Sequence, residues 1–286
     1  MDIASLLEVK GGIAQYCPPM CYELAGQKFY FWMDDGFDFE LEFLDKKRVR
    51  WNFAGKEPAE ADYLCAKGDD TTYLVSFELE NVPQRENYTF VIDLENWLVT
   101  RIHSKVGENP RYPYLITPHY EFGMIKRDGV EYVSYPRHGF TSDLEGTVVQ
   151  WNYGQMETVH VYYCTNFYRI TYVPEKAANR EINTAMNDMP SSDEPTAYIK
   201  IKKGMYLFSL TEANLEKLKG AEFGFRSNTM CMLQNYKRVY QVGRTFGTMT
   251  DPEGNDRYLH LMFGAFGQLR EIDRHFLEDP NPYIAD

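Results

Sequence analysis

The sequence predicts an all-β protein made of two tandem antiparallel β-barrels that arose by internal duplication. Leu24-Ala25-Gly26 and Leu144-Glu145-Gly146 each open a run of alternating apolar and polar residues, 120 residues apart. A solenoid repeat has a period of roughly 20–50 residues, so this period instead has the length of a small domain. Residue types that favour strands are abundant, including 22 Tyr and 18 Phe.

The strands of the two repeats can be aligned by their hydrophobic pattern. The aligned segments are 37–43 with 157–163, 49–53 with 168–172, and 73–77 with 206–210. The second alignment requires a shift of one residue from the 120-residue offset, and the third requires a shift of 13 residues. In the first alignment, Phe37 and Glu157 share a position, and the apolar stripe of Phe39 and Leu41 continues in Val159 and Val161.

The chain divides into a lead segment and two repeats. The predicted boundaries are 1–23 for the lead segment, 24–133 for the first barrel and 134–286 for the second. The junction after residue 133 is too short and too mixed in composition to be a flexible linker, so the halves should pack together. The second repeat carries a polar insertion at 174–195, which is either a surface loop or a lid. Short helices are expected at 5–8 and 211–220.

Short antiparallel strands at even spacing favour closed up-and-down barrels, which leave no exposed sheet edge. About eight strands enclose room for a packed core or for one small ligand. Helical periods do not alternate regularly with strands, which excludes a parallel α/β sheet. The expected fold is therefore a pair of lipocalin-like, calycin-type barrels.

Composition narrows the partners and the cellular compartment. A net charge of −12 argues against nucleic acid as a partner, and no stretch approaches the roughly 20 apolar residues of a membrane span. Five cysteines without an export signal favour free thiols in the cytoplasm. The cysteines and histidines lack metal-ligand spacing, and no phosphate-binding or dinucleotide motif is present, so we expect no metal and no cofactor. The expected partner is a small organic ligand, and a homodimer is also compatible with the sequence.

Several short segments together carry a family resemblance: 137–146, 151–153, 160–162, 198–200, 206–209 and 264–267 in the second repeat, and 90–96 in the first. In these segments the sequence resembles the molybdenum cofactor biosynthesis protein F (MoaF) family. Glu145 and Thr147 depart from the Val and Lys of the family's segment. The resemblance implies a double calycin-type barrel with a link to molybdoenzyme pathways. Some small lipocalin-like barrels are cofactor-free lyases. Their similarity to this chain is an analogy of fold alone.

Four residues are candidates for catalysis. Glu157 would be suited to acid–base work if it lies on the apolar stripe, because desolvation raises the pKa of a carboxyl group; at the barrel rim it would only be solvated. His160 falls on the opposite face, and it would line a pocket with Arg169 if that face turns inward. Arg169 recurs at the position of Arg50, which favours a structural salt bridge over an anion clamp. His138, in the junction, either reaches a barrel mouth or docks the two halves.

Aromatic residues in both repeats are candidates for binding a ligand. Tyrosine and tryptophan present an apolar body with one polar group, and would give a barrel an amphipathic interior. The candidates are Trp151, Tyr162, Tyr206, Trp51 and Tyr73. Tyr73 and Tyr206 occupy matched positions, which favours a role in the core that both repeats share.

Two functions follow from these features. One is a cofactor-independent isomerase, cyclase or lyase that acts on a partly aromatic or unsaturated organic substrate in a biosynthetic pathway. The other is a non-catalytic ligand-binding or accessory protein linked to molybdenum cofactor metabolism. The positions at which the two repeats differ in residue type indicate that the functional residues lie in the second barrel.

Overall fold

The computed structural model describes residues 13–53, 56–154, 156–173, 191–214, 225–251 and 253–271. The first eight strands form a closed antiparallel barrel in sequential order, because β8 pairs back onto β1. Their bounds are β1 Lys28–Met33, β2 Phe39–Phe43, β3 Arg48–Phe53, β4 Ala59–Lys67, β5 Thr72–Glu78, β6 Glu86–Asp93, β7 Leu98–Val106 and β8 Ile116–Ile125.

The second group of strands forms a second closed barrel of eight strands, to which a two-residue strand is added. Their bounds are β9 Gly139–Phe140, β10 Thr147–Asn152, β11 Glu157–Tyr162, β12 Phe167–Tyr172, β13 Ser192–Lys202, β14 Met205–Thr211, β15 Phe225–Asn235, β16 Tyr240–Thr250 and β17 Asp256–Arg270. The sheet runs β12-β11-β10-β17-β16-β15-β14-β13, and pairing between β12 and β13 closes it. The short β9 extends it beside β13.

The predicted fold class of two antiparallel barrels is confirmed. The predicted helix at 5–8 and most of the one at 211–220 lie outside the described residues, as does 174–190 of the predicted insertion. The rest of that insertion enters β13, and Thr211 ends β14. In the described part of the chain, no helix is both long and apolar enough to cross a membrane.

The interior of the first barrel is filled mainly by aromatic side chains. Strand alternation points every second residue inward, and Phe39, Leu41 and Phe43 of β2 are at most 1% exposed. Phe90 contacts the rings of Phe31, Phe39, Phe77 and Tyr88. Burial of this apolar surface is the main force that holds the barrel closed.

The pairing registers relate the two barrels residue by residue and correct one predicted alignment. Leu41 pairs with Trp51 across β2 and β3, and His160 pairs with Ile170 across β11 and β12. Leu41 therefore corresponds to His160, one residue away from the predicted match. Phe37, which the alignment places opposite Glu157, lies outside β2, and its side chain is 57% exposed.

The barrels contact each other through β4–β8 of the first and β13–β17 of the second. Leu74, Val91 and Ile102 from the first barrel belong to one buried cluster with Leu207, Leu233 and six further apolar residues of the second. The fully buried Arg244 donates to Thr89 Oγ1 (2.9 Å) and Ser104 Oγ (3.2 Å) of the first barrel. This interface agrees with the prediction that the halves pack closely.

Candidate functional site

The interior of the second barrel is polar at positions where the first barrel is apolar. Matching the registers gives the replacements Phe39 by Thr158, Leu41 by His160, Ala61 by Glu194, and Leu79 by Glu212. All four replacing side chains are at most 3% exposed. Burying polar groups costs folding free energy, so four of them on one inner wall of the barrel indicate a functional site.

Glu212 follows β14 and is the most unusual member of this wall. Its carboxylate accepts a hydrogen bond from Asn228 Nδ2 (2.9 Å), and Asn228 Oδ1 accepts one from Thr245 Oγ1 (2.5 Å). Within the described ranges, no cation forms an ion pair with Glu212. Burial therefore raises the pKa of its carboxyl group to about 7, although the Asn228 bond opposes this.

Hydroxyl groups surround the two buried carboxyl groups. Tyr168 and Glu194 are cross-strand partners between β12 and β13, and Ile170 faces Ser192 in the next pair. The buried hydroxyls of Tyr168 and Ser192 have no hydrogen-bond partner in the described part of the chain. Burial raises the pKa of Tyr168, and the charges of Glu212 and Glu194 add to this, which places these groups close together. Unsatisfied buried hydroxyls beside carboxyl groups are suited to receive a polar ligand.

Three predicted site residues meet in this same interior. Trp151 Nε1 donates to the Tyr162 hydroxyl (3.2 Å), which also lies 3.4 Å from His160 Nδ1. His160 Nε2 lies 3.1 Å from Thr158 Oγ1, and its ring contacts Tyr168 and Phe208. The face of β11 that carries His160 therefore turns inward, as one alternative of the sequence analysis has it.

Burial lowers the pKa of His160 to about 3. The imidazole is therefore neutral at physiological pH, and it acts as a hydrogen-bonding group on the inner surface of the barrel rather than as a cation.

His160→Gln is expected to make the protein less sensitive to acid. In the unfolded chain His160 binds a proton below pH 6.5, whereas the folded protein excludes it down to about pH 3, so stability falls as pH drops through this window. Protonation of His160 in the unfolded chain lowers the free energy of unfolding by about 2 kcal/mol between pH 6.5 and pH 5. Urea unfolding at both pH values should show a smaller loss in the variant. An equal loss would contradict the neutral, buried histidine.

Glu157 and Arg169 lie on the outer face, so the structure does not bring them to His160. The half-buried Glu157 accepts hydrogen bonds from Gln150 and from Asn152 Nδ2 (2.7 Å). Arg169 forms an ion pair with Asp193 (3.0 Å). The inward alternative for Glu157 and the pocket alternative for His160 with Arg169 therefore do not match the structure, because a one-residue shift in the alignment exchanges the faces of β11. The ion pair of Arg169 fits the structural salt bridge that the sequence favoured.

His138 lies between the two barrels. Its Nδ1 is 2.8 Å from Thr100 Oγ1, and its Nε2 is 3.7 Å from the buried Asp93 Oδ2. Lys202 of β13 is 3.8 Å from the same carboxylate and 2.8 Å from Asp69. Burial lowers the pKa of His138 although Asp93 opposes this. These contacts fit the docking alternative predicted for His138.

The remaining predicted ligand-binding residues are dispersed. Tyr206 lies at the rim of the second barrel, where its hydroxyl donates to Asp143 (3.1 Å). Tyr73 is in the first barrel and donates to Glu23 (2.9 Å). Trp51 stacks among the aromatic rings of the first barrel, and its buried Nε1 has no partner in the described ranges. Their roles in ligand binding remain predictions.

Two acidic groups of the first barrel are paired with a cation or a histidine. Arg101 pairs with Asp35 (2.5 Å), and His103 contacts Glu86 (2.6 Å). Glu212 differs from these two groups, because it has no cationic partner among the described residues. A cavity of about 470 Å³ lies outside this inner wall, between the 111–115 loop of the first barrel and Ala213, Arg226 and Ser227 of the second. Among the described residues, no three His, Cys, Asp or Glu side chains converge as metal ligands would.

Sequence reasoning missed Glu194, Glu212, Asn228 and Tyr168. A signal for Glu212 was present, since the matched strands 73–77 and 206–210 continue into Leu79 and Glu212 at the same offset. The replacement of Leu79 by Glu212 puts an acid in place of an apolar residue, as does the replacement of Phe37 by Glu157 in the predicted alignment.

Comparison with known proteins finds a similarity in the N-terminal part of the chain. No curated protein matches the chain. A crystal structure of a provisionally assigned beta-lactamase from Burkholderia vietnamiensis is similar over 38% of this chain and 96% of its own, at 16% identity and a TM-score of 0.28, which carries no structural argument. Residues 6–108 match the family model of the MoaF N-terminal domain. The matched segment supplies β1–β7 of the first barrel, and to that extent the chain is similar to the MoaF N-terminal domain.

Proposed function

We propose that the second barrel binds a small, partly aromatic or unsaturated organic molecule and transforms it by acid–base chemistry without a cofactor. The observation that carries this proposal is the buried carboxyl group of Glu212, which lacks a cation in the described part of the chain. A group whose pKa lies near 7 can both accept and return a proton at neutral pH.

The energetic cost of this arrangement supports a functional role. Burying a carboxyl group without a cation destabilises a fold, and a barrel of this kind does not need one. The first barrel closes with Leu79 at the position of Glu212 and Ala61 at the position of Glu194. Groups that a fold keeps against its own stability are concentrated at functional sites.

The surrounding residues suggest how a reaction would proceed. Glu212 would take a proton from a carbon or oxygen of the ligand and return it at another position, which suits an isomerase, a cyclase or a lyase. The Tyr168 hydroxyl would donate a hydrogen bond to an oxygen on which negative charge develops. The aromatic rings of Trp151, Tyr162 and Phe208 would hold the flat, unsaturated part of the ligand in place.

Deuterium transfer from solvent tests the proposal whatever the chemical identity of the substrate. The protein is incubated in D₂O with a small-molecule extract of its source cells, and products are analysed by mass spectrometry. The wild type should label or convert at least one compound. Glu212→Gln should slow this by about 10²–10⁴-fold, the usual contribution of a general acid or base.

Glu157→Gln is the matched control, because Glu157 is a half-buried carboxylate on the outer face of the same barrel. This variant should transfer deuterium to the labelled compound at the wild-type rate. Equal labelling by wild type and Glu212→Gln would refute the role of Glu212. Retention of a compound by the wild type, without labelling or conversion, would favour the non-catalytic ligand-binding function instead.

A further inference from the structure

Two cysteines meet where the lead segment crosses the first barrel. The backbone N–H of Cys21 donates to the carbonyl oxygen of Cys65 (2.9 Å), which lies in β4. The side chains of the two cysteines are hydrogen-bonded to each other as well, so the two sulfur atoms lie next to each other. Cys21 is half-buried, whereas Cys65 is fully buried in the core of the first barrel.

The surroundings of the two thiols make them chemically unequal. A hydrogen bond from the Cys65 thiol, together with one from the backbone of Glu23, lowers the pKa of Cys21 to about 6, and Lys67 adds to this. The same hydrogen bond and burial raise the pKa of Cys65. An accessible thiolate beside a buried thiol is the arrangement found in redox-sensing cysteine pairs.

We propose that Cys21 and Cys65 form a redox-active pair that reacts with hydroperoxides and closes a disulfide. The Cys21 thiolate attacks the outer peroxide oxygen, so the O–O bond breaks; with one proton from water, an alcohol or water leaves and Cys21 becomes a sulfenic acid. The Cys65 thiol then attacks the Cys21 sulfur, which forms the S–S bond and releases water. The peroxide takes up the two electrons that the thiols lose.

The position of the pair gives this oxidation a structural consequence. Residues 13–24 form a strap, in which Ile13 packs in the core of the second barrel and Leu24 in the core of the first. Cys17 and Met20 of the strap pack against the cluster between the barrels. A disulfide at Cys21 would therefore fix the strap covalently to β4, and a thiol reductant would release it.

Peptide mass spectrometry after treatment with one equivalent of hydrogen peroxide tests the pair in the full chain. We expect a Cys21–Cys65 disulfide in the wild type and its loss in both Cys21→Ser and Cys65→Ser. In Cys65→Ser, oxidation should stop at a Cys21 sulfenic acid, which dimedone traps. Cys17→Ser is the matched control and should form the disulfide as the wild type does, because burial raises the pKa of Cys17 to about 11.

Alkylation by iodoacetamide at pH 7 provides a second measurement that requires no oxidation. Cys21 should react roughly tenfold faster than Cys17, because far more of it is ionised. The proposal is overturned if Cys21 reacts no faster than Cys17, or if peroxide drives Cys21 to a sulfonic acid without a disulfide to Cys65.

Discussion

Glu212→Gln is expected to raise the free energy of unfolding by about 3 kcal/mol at pH 8. In the folded protein the pKa of Glu212 rises from 4.5 to about 7, so at pH 8 the carboxylate is ionised in an environment that disfavours its charge. Each unit of pKa difference between the folded and unfolded states corresponds to about 1.4 kcal/mol. Glutamine has nearly the same shape and carries no charge to bury.

The pH dependence gives the sign of this effect. Between pH 4.5 and 7 the unfolded chain releases the proton of Glu212 while the folded protein keeps it, so stability declines as pH rises through this window. The variant should therefore match the wild type near pH 4 and exceed it at pH 8, as measured by urea unfolding. Glu157→Gln should change stability little at either pH. A Glu212→Gln variant less stable than the wild type at pH 8 would mean that the carboxylate has a cationic partner.

Phe208→Ala is expected to lower the free energy of unfolding by about 3–5 kcal/mol, the usual cost of removing a buried aromatic ring. Phe208 is fully buried, and its ring centroid lies 4.9 Å from that of Tyr168 and 5.1 Å from that of Tyr162. Loss of the ring leaves a cavity beside tyrosines whose positions depend on it.

Phe37→Ala is the control for this substitution, because Phe37 is 57% exposed and should change stability by no more than about 0.5 kcal/mol. Chemical denaturation at one pH is sufficient for the comparison. A loss below about 1 kcal/mol in Phe208→Ala would show that the second barrel is loosely packed around this ring.

The sequence was sufficient to predict the architecture, because strand alternation and duplication reinforce each other. The aligned segments 49–53 and 168–172 share one register in the structure, as do 73–77 and 206–210. Gly26 and Gly146, in the turns that open the two repeats, both adopt a positive φ (80° and 77°). Such local requirements of turn and strand can be recognised in one sequence.

The inner wall of the second barrel could not be predicted with the same success, because side chains alternate with a period of two. A one-residue error in aligning β2 with β11 exchanges the inner and outer faces, and it placed Glu157 on the apolar stripe and His160 on the face opposite to it. The hydrophobic pattern did not prevent the error, because β11 has apolar residues on both faces, with Val161 and Tyr162 both buried.

Glu194 and Glu212 illustrate a second difficulty. They lie on different strands, and only the closure of the sheet between β12 and β13 brings Glu194 to Tyr168. Proximity of this kind depends on how the barrel closes, which a pattern along one strand does not encode.

Infrared difference spectroscopy of wild type against Glu212→Gln, recorded in the folded state from pH 5.5 to 8.5, tests the central claim most directly. We predict a protonated carboxyl band at pH 5.5 that is absent from Glu212→Gln, persists in Glu157→Gln and titrates away near pH 7. A Glu212 carboxyl group already ionised at pH 5.5 would contradict the claim that the second barrel holds an uncompensated acid.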